Sequence, residues 1–454
     1  MIFNSYEIDN AVAAACIFQD DHDNLANQIT HGVSIKFCSY MKSVSGKQQI
    51  FVAYSTDDGE TWTSEQVTTT AYDKYGSSCA VDTTGTGLHL TYTSKGYGAT
   101  TDQRAHKSIV YQFRSAAGVW STPVVIHQCE NVSAVYREYT QPSIAVDADN
   151  KVHLVCSFRW NTSYFTSFFF VVYIIIWPVG ATSDLAWFLY GYLDTSATQH
   201  ITQRPTIHLD SYGNPHVTFS CRRPNSSYAL NCHTTCWVCN NQQGAWGGWP
   251  GTTWAGYQCY GVINDGVIGA ANLRHTLCDK SKTDLGGAYP TTHPSSFHGV
   301  STCHVDGYFD DVNGYDYPHF VYNFDGTGGI YDAGTYYMWR DITGFHDELI
   351  SASGTPSDDN SIALGPDGII HTLVPSNIED KYEYRQRVTP ASAWGDVVTV
   401  SSIWHPQQLA HIHPTQFPLA EALCSPFMAV DFSSGTVLKY FKCAGIVTGY
   451  GYFM

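Results

Sequence analysis

Basic residues are scarce in this chain. Against 40 Asp and Glu it carries 23 Lys and Arg, for a formal net charge of −17 over 454 residues. A surface of that sign repels a phosphate backbone, so nucleic acid is excluded as an expected partner. Charged residues of both signs amount to 14% of the chain, while Gly, Tyr, Ser, Thr and Asn are plentiful. That composition suits short strands joined by polar loops, not helices. Long apolar runs are missing too. The longest, from Tyr164 to Val179, is shorter than a membrane span requires and is ended by Pro178. No membrane span is expected, and the run's β-branched and aromatic residues favour a buried strand. The N-terminal segment has no basic residue ahead of its apolar stretch, which Asp9 and Asn10 interrupt. No secretory signal is recognisable there. Phosphate-binding loops, Ser–His–Asp signatures, HExxH metal sites and CxxCH haem sites are all absent, and no cofactor is expected.

What the chain has is repetition. Gln141–Phe158 holds two β-branched runs, Ile144–Val146 and Val152–Val155, around the turn formers Asp147, Asp149 and Asn150. Alternating apolar residues about a polar turn read as a hairpin. The unit recurs at Ser78–Tyr92, Thr206–Phe219 and Ser361–Val374, and more weakly at Val300–Tyr322 and Phe427–Tyr440. Val33–Tyr54 makes a seventh copy. Most starts lie about 60 residues apart, which suits one four-stranded sheet plus its loops. The expected fold is all-β: one β-propeller domain over residues 1–454, of seven blades in preference to six. The terminal strands, near Ala11–Phe18 and Val437–Tyr450, are expected to close the ring and leave no free sheet edge. Within the third repeat the four strands are expected near 143–147, 152–158, 164–176 and 184–193. Residues 224–272, rich in Cys, Trp and Gly, break the spacing and predict a long loop over one face.

Ser55, Asp57, Gly59 and Trp62 form the pattern SxDxGxTW. This resembles the Asp-box, the bacterial neuraminidase repeat of sialidase-like propellers. The resemblance implies a structural role away from the active face. Physically, Ser55 and Asp57 can bond the backbone of a tight turn, Gly59 can take positive φ, and Trp62 can plug the gap between strands. Ser115–Trp120 and Pro390–Trp394 keep the tryptophan and lose the aspartate.

Propeller topology sorts the remaining residues. Segments before the first strand and after the second strand of a blade share one face. Arg137, Glu138, Tyr139 and Arg204 precede first strands of the third and fourth repeats. Arg159, Trp160, Arg222 and Arg223 follow second strands of the same two. The guanidinium fork matches carboxylates and sulfates, and Tyr139 and Trp160 offer stacking faces. The expected site is a pocket for an acidic glycan or another anionic ligand. The opposing expectation is that the arginines pair with neighbouring acids such as Glu138. His89, His153, His216, His319 and His371 occupy equivalent second-strand positions, which reads as shared structure rather than five catalytic bases. Cys232, Cys236 and Cys239 are a weak zinc candidate by spacing; free thiols or disulfides are the simpler reading of the 14 cysteines.

The leading functional expectation is non-enzymatic: a rigid propeller for surface or glycan recognition, or for assembly as a homo-oligomer or larger array, in a virion or another extracellular setting. The alternative is a carbohydrate-active enzyme, a polysaccharide lyase or a sialidase-like glycosidase, on the same face. The arginine motif that sialidases carry near the N-terminus is missing here.

Overall fold

The structure is a computed structural model. It describes residues 3–10, 28–31, 35–176 (apart from 99, 105, 129, 133–134 and 162–166), 185–194, 201–209, 215–222, 235–243, 257–260, 297–305, 317–324, 334–341, 344–352, 361–364, 369–376, 381–388, 392–401, 403–407, 427–431 and 437–443. These residues hold 29 strands in seven antiparallel sheets.

β1 is Phe3–Asn10. The first sheet is β2 (Gln28–His31), β3 (Lys36–Val44), β4 (Lys47–Ser55) and β5 (Thr63–Gln66). The second is β6 (Lys74–Val81), β7 (Leu88–Ser94), β8 (Ser108–Arg114) and β9 (Val124–His127), with a short helix α1 (Thr101–Arg104) between β7 and β8. The third has five strands: β10 (Glu130–Val132), β11 (Val135–Val146), β12 (Val152–Asn161), β13 (Ser167–Ile176) and β14 (Leu185–Asp194). The fourth is β15 (Ile201–Leu209), β16 (Pro215–Arg222), β17 (Thr235–Gln243) and β18 (Tyr257–Tyr260). The fifth is β19 (Phe297–Val305), β20 (Tyr317–Phe324), β21 (Gly334–Asp341) and β22 (Gly344–Ser351). The sixth is β23 (Ser361–Leu364), β24 (Ile370–Pro375), β25 (Lys381–Arg387) and β26 (Val398–Ser401). The seventh joins the chain ends: β27 (Ile403–Gln407), β28 (Phe427–Asp431) and β29 (Val437–Cys443) pair in order, and β1 adds to β29.

Each sheet is a meander, because consecutive strands joined by short turns pair most directly. The third repeat keeps the expected order with β10 as an unforeseen extra strand, but its first strand begins at Val135 rather than near 143 and its second runs to Asn161, so Arg137, Glu138, Tyr139, Arg159 and Trp160 lie within strands rather than beyond them. Two expectations need correction. The N-terminal strand that joins the seventh sheet is Phe3–Asn10, whereas Ala11–Phe18 lies outside the described residues. The stretch 224–272 is not loop throughout, since β17 and β18 lie within it and complete the fourth sheet; aromatic and cysteine side chains there support strand as readily as loop.

The cores lie between sheets. One cluster joins Phe37, Met41 and Ile50 of the first sheet to Leu88 and Leu90 of the second. Another joins Ile109 and Tyr111 of the second to Ile144 and Leu154 of the third. A third joins Val321 and Tyr337 of the fifth to Ile370 and Val374 of the sixth. Cys38 and Tyr40 of the first sheet pack with Ile8 and Tyr440 of the seventh. Leading strands touch in succession, β6 with β11, β11 with β15, β15 with β19, and β19 with β23; β25 also touches β27, and β1 touches β5. Such strands need apolar residues on both faces, which explains the near-continuous burial of β3 and β7.

The 55–62 turn shows how local chemistry serves this packing. Gly59 N–H donates to Ser55 Oγ (2.8 Å), and the Ser55 hydroxyl donates to Asp57 Oδ1 (2.8 Å). Thr61 donates through its N–H to Asp57 Oδ1 (2.9 Å) and through its hydroxyl to Asp57 Oδ2 (2.5 Å). Trp62 Nε1–H returns to the Gly59 carbonyl (2.9 Å), and its ring lies 5.3 Å from that of Tyr440 in the seventh sheet. Gly59 sits at φ +86°, and a methyl there would overlap the Tyr440 ring. Gly59→Ala therefore combines backbone strain with overpacking and should cost about 2–4 kcal/mol. Thermal melting measures this; an unchanged midpoint would contradict it.

The degenerate turns make a second device. Arg114 Nε–H donates to Glu65 Oε1 of the preceding sheet (2.6 Å), Trp120 Nε1–H donates to the same oxygen (3.2 Å), and the guanidinium lies over Phe37 and Tyr54. The arrangement recurs between the fifth and sixth sheets. Arg387 and Trp394 both donate to Glu348 Oε1, and the guanidinium lies over Tyr337, Trp339 and Trp394. A clasp of Arg, Glu and Trp thus ties neighbouring sheets together.

Candidate functional site

The register of β11 and β12 sets the central geometry. Arg137 is paired with Trp160, Glu138 with Arg159, and Tyr139 with Phe158. Successive pairs alternate between the two faces of a sheet. In register, then, Arg137 is level with Trp160 and Glu138 with Arg159, all four within the strands rather than beyond their ends. Arg204 lies on β15 beside the irregularity between Gln203 and Thr206, and Arg222 ends β16 opposite Ile201. β15 touches both β11 and β12. Arg223 lies outside the described residues.

Tyr139 has a different role from the one expected. It is 8% exposed, and its ring packs 5.5 Å from His127 and 4.8 Å from Phe158 within the core between the second and third sheets. It is not an open platform for a sugar. Alternation along β11 turns it inward, a consequence of strand register that the motif by itself did not reveal.

The repeated histidines are structural. His89 Nδ1 accepts from the Tyr111 hydroxyl (2.8 Å), and the same ring nitrogen is hydrogen-bonded to the hydroxyl of Tyr337 in His319 (2.5 Å) and of Tyr384 in His371 (2.6 Å). In each case the tyrosine stands two residues before the histidine's register partner on the third strand. Tyr173 holds that same position relative to His153. Burial holds His89 down to about 4 and both His319 and His371 down to about 3, so all three are neutral at pH 7. His153 instead meets Asp147 Oδ2 at 3.2 Å. Asp57 is lowered to about 2 by its Thr61 hydrogen bonds, which marks it as a permanent anion of the turn rather than an acid catalyst.

Among the described residues, no group of three or more His, Cys, Asp or Glu is placed to hold a metal. Cys232 lies outside them, and Cys236 and Cys239 lie three apart on β17. Cys38, Cys79 and Cys156 are free and buried; burial pushes the Cys79 thiol up to about 12.

Sequence reasoning missed a cation–π group in the second sheet, where Lys95 and Lys107 approach the ring of Tyr75. Lys95, Lys107 and Tyr75 gather at the end of the second sheet where β6 starts, β7 ends and β8 starts. The signal available was a pair of lysines bracketing one loop in a chain poor in basic residues.

No known family profile matches the chain, and no curated protein does. Solved structures do resemble it. A polysaccharide lyase, Uly1, is 9% identical and superposes with a TM-score of 0.51 over 93% of this chain and 90% of its own. The β-propeller domain of the Trilobed protease from Pyrococcus furiosus is 5% identical, with a TM-score of 0.43 over 91% of this chain and 93% of that one. A Trypanosoma rangeli sialidase in complex with sialic acid is 13% identical, with a TM-score of 0.42 over 80% of this chain and 54% of its own. At such identities the likeness speaks of fold alone. The described strands form seven antiparallel sheets, so the chain is all-β, and a β-propeller domain is among the solved structures it resembles.

Proposed function

We propose that this chain is a seven-bladed propeller, with Ser55–Trp62 as its Asp-box and β1 closing the ring against β29, and that it recognises acidic glycans on the face where the leading strands begin. Seven sheets, each touching the next, and the contact of β1 with β5 support the closed ring. The observation that carries the binding reading is the register of the third and fourth sheets. It gathers Arg137, Arg159, Trp160, Arg204 and Arg222 at neighbouring strand ends. We assign Arg137, Arg204 and Arg222 to a ligand carboxylate or sulfate by residue type and strand position, and Trp160 to stacking in place of the buried Tyr139.

Binding without turnover is the leading reading, supported by the burial of four of the repeated histidines, His89, His153, His319 and His371, which sets them in the core rather than at a reacting centre. Lyase chemistry is the second reading, favoured by the superposition on a polysaccharide lyase. The glycan reading stands without the virion or array setting, on which neither the fold nor the comparisons bear.

Titration with an acidic glycan panel, followed by assays for reducing ends, released sialic acid and unsaturated uronates, separates these readings. Arg204→Ala should weaken binding about tenfold, the worth of one charge-assisted hydrogen bond. Glycan affinity unaltered in both Arg204→Ala and Arg222→Ala would refute the site. Turnover abolished by either would replace binding with catalysis.

A further inference from the structure

One aromatic ring of the second sheet is held open to solvent by buried donors. Tyr72 is 38% exposed, the most exposed aromatic side chain among the described residues. It lies in the segment that links β5 to β6. Buried Gln49 donates through Nε2 to the carbonyls of Thr70 (3.1 Å) and Tyr72 (3.2 Å). Buried Lys74 donates through Nζ to Thr70 Oγ1 (2.5 Å) and to the Tyr72 carbonyl (3.1 Å). Asp73 accepts the Gln48 N–H on its carboxylate (3.0 Å) and the Lys95 N–H on its carbonyl (3.2 Å). Burying an amine against a hydroxyl and a carbonyl costs free energy, and here that cost goes into fixing the main chain of Tyr72. Gly96 lies against the ring. It has φ +100°, and a methyl there would come within 2.4 Å of Tyr72 Cδ2. Glycine alone leaves room for the ring at that position.

Arg104 is tied to the same loop. Its carbonyl accepts the Gly96 N–H (2.9 Å), and its Nε–H donates to the Gly98 carbonyl (3.0 Å). The residue is exposed, and that carbonyl is its side-chain acceptor among the described residues. A guanidinium held through Nε keeps its two terminal nitrogens for a carboxylate or sulfate. The Tyr72 segment precedes the first strand of its sheet and the Gly96 loop follows the second, the two positions that share the face of the glycan reading. Arg104 ends α1, which touches β10 of the third sheet.

We infer that Tyr72 and Arg104, both braced on the Gly96–Gly98 loop, form a subsite for one acidic sugar of an oligosaccharide. The Tyr72 ring takes the apolar C–H face of the sugar, and the Arg104 fork takes its carboxylate or sulfate. The inference rests on the glycan reading above and adds a subsite in the second sheet, outside the arginine set named there.

The test is calorimetry with a chondroitin sulfate hexasaccharide at several salt concentrations. Tyr72→Ala should weaken binding about tenfold, whereas Tyr72→Phe, which keeps the ring, should stay within about twofold of wild type. Arg104→Gln should also weaken binding about tenfold and make it depend less on salt. Arg104→Lys should keep the salt dependence while losing the affinity that the planar fork adds. A fold defect would spare neither conservative variant. Affinity unchanged in both Tyr72→Ala and Arg104→Gln overturns the subsite, and so does an equal loss in Tyr72→Ala and Tyr72→Phe. If Arg204→Ala weakens the hexasaccharide while Tyr72→Ala and Arg104→Gln do not, the arginine reading stands and this subsite falls. The converse result keeps this subsite and removes the arginines. If the wild-type chain binds neither the hexasaccharide nor any other member of the acidic panel, both fall.

Discussion

Lowering the pH from 7 to 5 should strip this protein of several kcal/mol of stability, long before its carboxylates titrate. His89, His319 and His371 are each at most 1% exposed. Each is hydrogen-bonded through Nδ1 to a tyrosine hydroxyl. In His89 the opposite nitrogen meets Asn150 Oδ1 (3.2 Å), a pairing that requires the proton on Nε2. Protonating the ring would bury a charge, which is what holds these histidines neutral. The folded-state values, about 4 for His89 and about 3 for His319 and His371, lie below the unfolded value. Below pH about 6.5 the unfolded chain takes up protons that the folded chain refuses, so stability is complete above that pH and falls as pH drops toward 4. At pH 5 each histidine contributes roughly 2 kcal/mol of loss, about 6 kcal/mol for the three. Urea midpoints measured from pH 7 to 5 test this. His371→Asn, which keeps an acceptor for Tyr384, should lower the neutral-pH midpoint yet shallow the pH slope by one proton. A midpoint level across that range would sink the proposal that these residues are buried neutral bases.

Removing one acid from the clasp between the fifth and sixth sheets should do comparable damage at neutral pH. Arg387 has a side chain 3% exposed, boxed by Tyr337, Trp339 and Trp394, while that of its partner Glu348 is 36% exposed. Glu348→Ala leaves a buried guanidinium without its counter-charge, with only the Ser392 carbonyl as a remaining acceptor among its described partners. It also strips Trp394 Nε1–H of its acceptor. The expected loss is about 3–5 kcal/mol. Arg387→Met leaves a carboxylate that water can reach and keeps an apolar chain against the rings, so it should cost less, about 1–3 kcal/mol. The order is the informative part: the exposed partner matters more than the buried one. Urea titration of both variants decides it, and a Glu348→Ala protein as stable as wild type, or more stable than Arg387→Met, would refute the asymmetry. Glu65→Ala should repeat the effect at Arg114, and losses at the two distant clasps should add.

Much of the scaffold is readable along the chain because its information is local. Paired β-branched runs about an Asp- or Gly-rich turn specify a hairpin within fewer than 20 residues, as in Gln141–Phe158. The box at Ser55–Trp62 carries its own hydrogen-bond partners. The histidines repeat at one strand position, and that periodicity suffices to mark them as structural.

Other features depend on residues far apart in sequence. Glu65 meets Arg114 across 49 positions, and Glu348 meets Arg387 across 39; no local pattern names either acid. Tyr139 turns inward because pleating assigns alternate residues to opposite faces, and a shift of one position would have turned it outward. β17 and β18 lie in a stretch without strand periodicity, where pairing to β16 supplies what local propensity does not.

By itself, the order of residues determined that this chain would be repeated antiparallel sheets with a specific turn at 55–62, since those depend on propensity and short-range hydrogen bonds. Which charges face one another, as Glu348 faces Arg387, and which rings are buried, as Tyr139 is, were decided only by the packing of one sheet on the next. Contacts between sheets are set by register and burial, quantities that arise only once distant segments meet.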